Sequence, residues 1–228
     1  LLDENGFSEK RVATFLPGPT VFTKIVKMPK VDPAQLETSL QFEAARFLHD
    51  SHSSVKVDYH VMNDLGNSLE ILVVVVKNNI QDSFLNCFAN AGLQVAILDV
   101  DYFSLQNCYE TLFPDDINQT ACLINIGARY SSVNIVRGGN TLYSGSIAVG
   151  GNLFTSAIST ALGIDIADAE RIKKGDASQI FTKEKIEEAL KAKVDSVAAD
   201  FNRQLGLFWN SAGIDGGIDK ILVAGGGA

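Results

Sequence analysis

Three glycine turns in the second half of the chain each follow an apolar run: Asn125-Ile126-Gly127-Ala128, Val149-Gly150-Gly151-Asn152 and Gly225-Gly226-Gly227. Glycine has no Cβ, so a ligand can come close to its backbone and meet N–H groups that point outward. Successive N–H groups of this kind form a concave anion site, and a helix starting at such a turn adds the positive end of its dipole. The chemistry that fits is recognition of phosphate. One glycine turn does no more than end a strand; three, the last returning after a long helical stretch, are a stronger signal. Glu170 and Lys173 stand three apart in Ala169-Glu170-Arg171-Ile172-Lys173, so on a helix they share a face. The plain reading is a surface ion pair worth a few tenths of a kcal/mol. The sharper one has them reach a ribose hydroxyl and an adenine edge.

Other chemistries find little support. His49 and His52 lie at a helix end among polar residues, and His60 is apart from them, with no cysteine or carboxylate partner that suggests zinc. No Gly-x-Ser-x-Gly elbow supports a serine nucleophile. Asp99 and Asp101 straddle a strand-to-helix junction, where Asp101 reads as a helix cap. Phe208 and Trp209 read as core, although an exposed Trp209 would suit a partner surface.

The positioning elements follow from hydrophobic spacing. Residues 10–113 read as strand, helix, strand, strand, helix, strand, helix. Residues 21–31 are extended, and Asp32-Pro33 opens a helix with Leu36, Leu40, Ala44 and Phe47 on one face. Strands 55–62 and 69–77 make a hairpin through Asp64-Leu65-Gly66-Asn67. Helix 80–91 closes at Gly92, strand 95–98 and helix 102–112 follow, and Pro114 breaks the chain. Beyond it come strand 121–126, a strand with Val133 and Ile135, the turn Arg137-Gly138-Gly139-Asn140, and strand 141–149. Helices 152–162 and 168–174 lead to a long helix, 183–212, capped by Thr182. Its apolar stripe is Ile186, Leu190, Val194, Val197, Phe201, Leu205 and Phe208, and strand 220–224 closes the chain.

Composition narrows the class. With 228 residues, 46% hydrophobic and 20% charged, the chain can build its own core without staples. A net charge of −8 argues against nucleic acid as the main partner and against adhesion to anionic lipid. Cys87, Cys108 and Cys122 sit in apolar runs and read as small buried side chains in a reducing compartment. No stretch of about 18 apolar residues is present to span a bilayer. The non-Met start and the ending on Gly225-Gly226-Gly227-Ala228 read as truncation at both ends.

This order of elements resembles the actin-like ATPase superfamily. Within it, the chain is similar to the FtsA-like type IV pilus assembly proteins of the PilM family. The resemblance rests on Leu16-Pro17-Gly18-Pro19, Lys27-Met28-Pro29-Lys30, Ala91-Gly92-Leu93 and Leu98-Asp99-Val100-Asp101-Tyr102-Phe103, together with the glycine turns and Ala169-Glu170. It implies an α/β fold: an actin-like, ribonuclease H-like core with a small inserted α+β module. Residues 1–113 would hold that module and part of the first actin-like half, and 114–228 the second half. By resemblance, Gly127 and Ala128 form a phosphate loop with Ser131 at the hydroxyl position after it, and Gly150, Gly151 and Asn152 lie beside phosphates and ribose. Glu170 and Lys173 form the nucleoside clamp, and Gly225, Gly226 and Gly227 the adenosine loop. The implied cofactor is ATP with Mg²⁺. The family's loop usually opens with Asp; Asn125 stands there, a poorer base and weaker Mg²⁺ ligand, which implies at most weak ATPase activity. The Asp-x-Gly-type first phosphate loop would precede residue 1. The implied role is a cytoplasmic scaffold, not an enzyme, gripping the N-terminal tail of the inner-membrane protein PilN and working with pilus motor and platform proteins, without inserting into the membrane itself. The alternatives are an FtsA-like division filament and an actin-fold small-molecule kinase.

Overall fold

Asp32 starts the first helix by taking two amides that the helix itself cannot satisfy. Its Oδ1 accepts from Ala34 N and Gln35 N, both at 3.1 Å, and Pro33 supplies the first turn. The helix, α1 (Pro33–Leu48), buries Leu36, Leu40 and Ala44 against Ile71, Val73 and Val75. Those three belong to β4 (Ser68–Lys77), the centre of an antiparallel sheet ordered β2-β4-β3, with β2 (Val21–Pro29) and β3 (Val55–Asp64). A central strand covered on both faces needs apolar residues at every step, and the Ile71 to Val76 run supplies them.

The computed structural model describes residues 4, 6, 8–48, 54–175, 183–212 and 217–227. The chain divides into two compact units, Leu1–Asn107 and Cys108–Ala228. In the first, β1 (Arg11–Leu16) pairs in parallel with β5 (Gln94–Val100). The sequence pattern offers no strand at 11–16; the pairing with a distant segment creates it. Helices α2 (Asn78–Asn90) and α3 (Asp101–Leu112) flank β5 in the chain. Asp101 is itself the first residue of α3, and its Oδ1 takes the Tyr102 amide at 2.7 Å.

The second unit is a four-stranded sheet ordered β8-β7-β6-β9, from β6 (Ala121–Ile126), β7 (Ser131–Arg137), β8 (Asn140–Ile147) and β9 (Lys220–Ala224). Gly138 and Gly139, at φ +59° and +76°, make the tight turn between β7 and β8 that only left-handed residues permit. Between β8 and β9 run α4 (Gly151–Leu162), α5 (Ile166–Lys173) and α6 (Lys183–Ala212). Helix α6 packs Phe201 and Leu205 on Cys122, Val133 and Ile135, and Ile186 and Leu190 on Ile158, Ala169 and Ile172. Between those two patches Val194 is exposed, so the stripe read from the sequence is interrupted where the helix passes from one support to the next. Among the described residues, no helix is long and apolar enough to cross a membrane.

The cysteines divide against expectation. Cys122 is buried in the β6 core, but Cys87 and Cys108 are exposed. Both fall on outward faces of α2 and α3, a position that apolar neighbours in sequence do not reveal on a helix with a period of about 3.6 residues.

Candidate functional site

Strands β6 and β9 run parallel, so the turns that follow them leave the sheet at the same edge. The β7–β8 hairpin returns the chain to that edge at Val149. Backbone hydrogen bonds then stack the three glycine turns. Gly151 N donates to Gly127 O at 2.9 Å, Asn152 N to Ala128 O at 2.8 Å, and Gly227 N to Ile126 O at 2.9 Å. A Cβ on Gly150 would lie 2.6 Å from Ala128 C and Gly127 O, and one on Gly227 would lie 2.9 Å from Gly127 O. Gly225, at φ +102°, would in addition press a Cβ into Asn125 Oδ1 at 2.5 Å. The glycines therefore serve first to let one turn lie on the next.

This changes the reading of the amides. Gly151, Asn152 and Gly227 point theirs at neighbouring carbonyls. Nothing lies within 4 Å of a Cβ on Gly226, and Ala128, Arg129 and Asn152 are exposed. Asn125 is half-buried in β6 between Ser132 and Ala224. Ser131 is fully buried, and its hydroxyl donates to Val149 O at 2.7 Å, tying β7 to the end of the returning segment.

Helix α5 meets the same place from the other side. Asp165 caps it by accepting from Asp168 N at 2.8 Å. Ala169 and Ile172 bury against Ile158 of α4, which turns Glu170 and Lys173 toward the first turns of α4. Lys173 Nζ lies 2.7 Å from Glu170 Oε2, and it donates to Thr155 Oγ1 at 2.9 Å and to Gly151 O at 3.2 Å. Thr155 in turn donates to Glu170 Oε2 at 2.5 Å. The Lys173 ammonium first, then the Thr155 hydroxyl and Lys174, hold the Glu170 carboxyl down at about 2. Lys174 reaches Glu170 at 3.3 Å and Arg171 pairs with Asp168, so two carboxylates offset part of the charge of Arg171, Lys173 and Lys174. Gly127, Gly150, Gly151, Glu170, Lys173 and Gly227 thus meet around one point. Thr155 escaped the sequence reading; its only signal was a hydroxyl one turn into an otherwise apolar helix face.

The first unit holds a cavity of about 360 Å³ on the β2-β4-β3 face opposite α1. Leu16, Val21, Val74, Val76, Val100 and Phe103 make it apolar; Lys56, Asp58, Gln81 and Asp99 supply polar edges. Asp99 accepts from Ser104 Oγ at 3.0 Å, whereas Gln81 Oε1 is buried without a hydrogen-bond partner among the described residues. His60 is exposed on β3, and among the described residues no His, Cys, Asp or Glu cluster could hold a metal ion. His49, His52, Thr182 and the side chains of Phe208 and Trp209 lie outside the described residues.

A family model described as type IV pilus assembly protein PilM matches residues 1–228. The chain belongs to the PilM family. It is similar to a solved PilM-PilN type IV pilus biogenesis complex, with 22% identity over 100% of this chain, 66% of that chain and a TM-score of 0.87. It is also similar to MreB5 of Spiroplasma citri bound to AMPPNP, at 18% identity over 67% of this chain and 54% of that one, with a TM-score of 0.50. The ADP-bound form of MreB5 matches at 17% identity, over 67% of this chain and 55% of that one, again with a TM-score of 0.50. This PilM-family chain has an actin-like α/β fold and spans 66% of the chain it matches in that complex.

Proposed function

We propose that this PilM-family chain is a scaffold of type IV pilus assembly that binds ATP at the glycine turns of its second unit and the N-terminal tail of a PilN-type inner-membrane protein on its first. The observation that carries the nucleotide reading is the meeting of Gly127, Gly150–Gly151, Gly227 and the Glu170–Lys173 pair at one sheet edge. The Gly127–Ala128 loop would face the phosphates and Gly225–Gly227 the adenosine, and Glu170 would take a ribose hydroxyl. ATP supplies a polyanion that suits the positive end of the α4 dipole. Mg²⁺ would travel on those phosphates and their waters, because Asn125 offers only an amide oxygen. The same amide is a poor general base, so the site suits binding better than hydrolysis. On this reading the second unit is an actin-like half with a ribonuclease H-like core. The three-stranded sheet and α1 are the inserted module. The protein works on the cytoplasmic side of the inner membrane, reached through its partners.

The partner reading is supported by the likeness to a PilM-PilN complex and by the cavity in the first unit. An extended tail would set apolar side chains against Val74, Val76 and Val100. Isothermal titration of the full-length protein with a synthetic PilN tail peptide, with and without ATP, tests it. We expect micromolar or tighter binding that Val76→Glu abolishes. No binding in either nucleotide state rejects the partner assignment.

A further inference from the structure

We infer that Thr155 is the positioning residue of the nucleoside end of this site, its hydroxyl fixing the Glu170 carboxylate and the Lys173 ammonium on the first turns of α4, so that Glu170 meets the ligand and Lys173 acts only through the Gly150–Gly151 turn. The inference rests on the nucleotide reading proposed above and assigns its parts.

Donor and acceptor counts decide the roles. A lysine ammonium has three N–H donors. Lys173 Nζ has three acceptors around it: Glu170 Oε2 at 2.7 Å, Thr155 Oγ1 at 2.9 Å and Gly151 O at 3.2 Å. None is left for a ligand. A carboxylate has about four lone-pair sites. Lys173, Thr155 and Lys174 occupy three at Glu170, which stays partly exposed, so one acceptor site remains. A ribose hydroxyl is a donor that would fill it.

Thr155 also lies 3.1 Å from Gly151 O, but its hydroxyl has one hydrogen. The shorter, charge-assisted bond to Glu170, at 2.5 Å, takes that hydrogen. Gly151 O is then left to Lys173. The result is a closed circuit in which α5 grips the glycine turn through Lys173 and is itself oriented by a buried hydroxyl of α4. Thr155 is 4% exposed, so the hydroxyl at the centre of the circuit is buried.

The test compares Thr155→Val, which keeps shape and loses the hydroxyl, with Thr155→Ser, which keeps it, in the full-length protein. ATP and inorganic tripolyphosphate are titrated into each, and folding is checked by thermal melts. One lost bond to a charged group predicts about tenfold weaker ATP binding for Thr155→Val, with Thr155→Ser within about twofold of wild type and tripolyphosphate binding unchanged. Carbon-13 NMR titration gives a ligand-independent readout: the Glu170 carboxyl of Thr155→Val should titrate higher than in wild type. Unchanged ATP affinity in Thr155→Val, an equal loss of tripolyphosphate, or an unmoved Glu170 titration overturns the inference. Wild-type protein that binds no ATP overturns the nucleotide reading itself, a result distinct from any of these.

Discussion

Replacing Gly150 by alanine isolates the stacking of the glycine turns. Gly150 sits at φ −162°, extended backbone that alanine adopts without strain, so only contact opposes it. The added Cβ would stand 2.6 Å from Ala128 C and O and from Gly127 O, all main-chain atoms. Ordinary contact would require these carbonyls to retreat, and they are the acceptors for Gly151 N and Asn152 N at 2.9 and 2.8 Å. Overpacking costs roughly 1–3 kcal/mol, and weakening two hydrogen bonds adds about 1 kcal/mol. Reduced freedom of the unfolded chain returns about 0.4–1 kcal/mol. The net expectation is destabilisation by about 1–3.5 kcal/mol, a fall of roughly 2–14 °C in Tm for a chain of this size. Scanning calorimetry measures it against two controls. At Gly151 the nearest neighbour of a Cβ is a side-chain end, Lys173 Nζ at 3.2 Å, and at Gly226 nothing lies within 4 Å. Both alanine variants should melt within about 1 kcal/mol of wild type. A Gly150→Ala protein that melts with wild type, or a Gly226→Ala protein equally damaged, would refute the packing argument.

Three further expectations concern single groups. The Glu170 carboxyl, lowered from 4.5 to about 2 chiefly by Lys173, contributes stability that is fully present above pH 4.5 and lost as pH falls toward 2. The stability gap between wild type and Glu170→Gln in denaturant melts should therefore be flat at neutral pH and close across that window; a gap that persists unchanged below it speaks against the assignment. Asn125→Asp in the full-length protein should raise Mg²⁺-dependent phosphate release from ATP, and an unchanged rate would show that the missing carboxylate is not limiting. Burial pushes the Cys122 thiol up to about 11, so a thiol reagent near pH 8 should label Cys87 and Cys108 quickly and Cys122 only on unfolding. Rapid labelling of all three would contradict the β6 core.

What the sequence determined by itself was local. Asp32 before Pro33 opens a helix, Gly138-Gly139 turns a hairpin, and the apolar residues of 121–126 make a strand, because capping, turn angle and side-chain period are properties of a few neighbouring residues. The positions of the three glycine turns and of Glu170 and Lys173 were legible for the same reason. Tertiary structure alone decided β1, whose six residues become a strand only by pairing with β5 far along the chain. It likewise decided that Cys87, Cys108 and Val194 face outward while Thr155 faces in, since helix rotation follows from what packs beside it. Above all it set the direction of the loop amides and the partners of Lys173. A hydrogen bond between Gly227 N and Ile126 O, or between Lys173 and Gly151 O, joins segments separated by whole helices, and its geometry exists only once the sheet has brought them together.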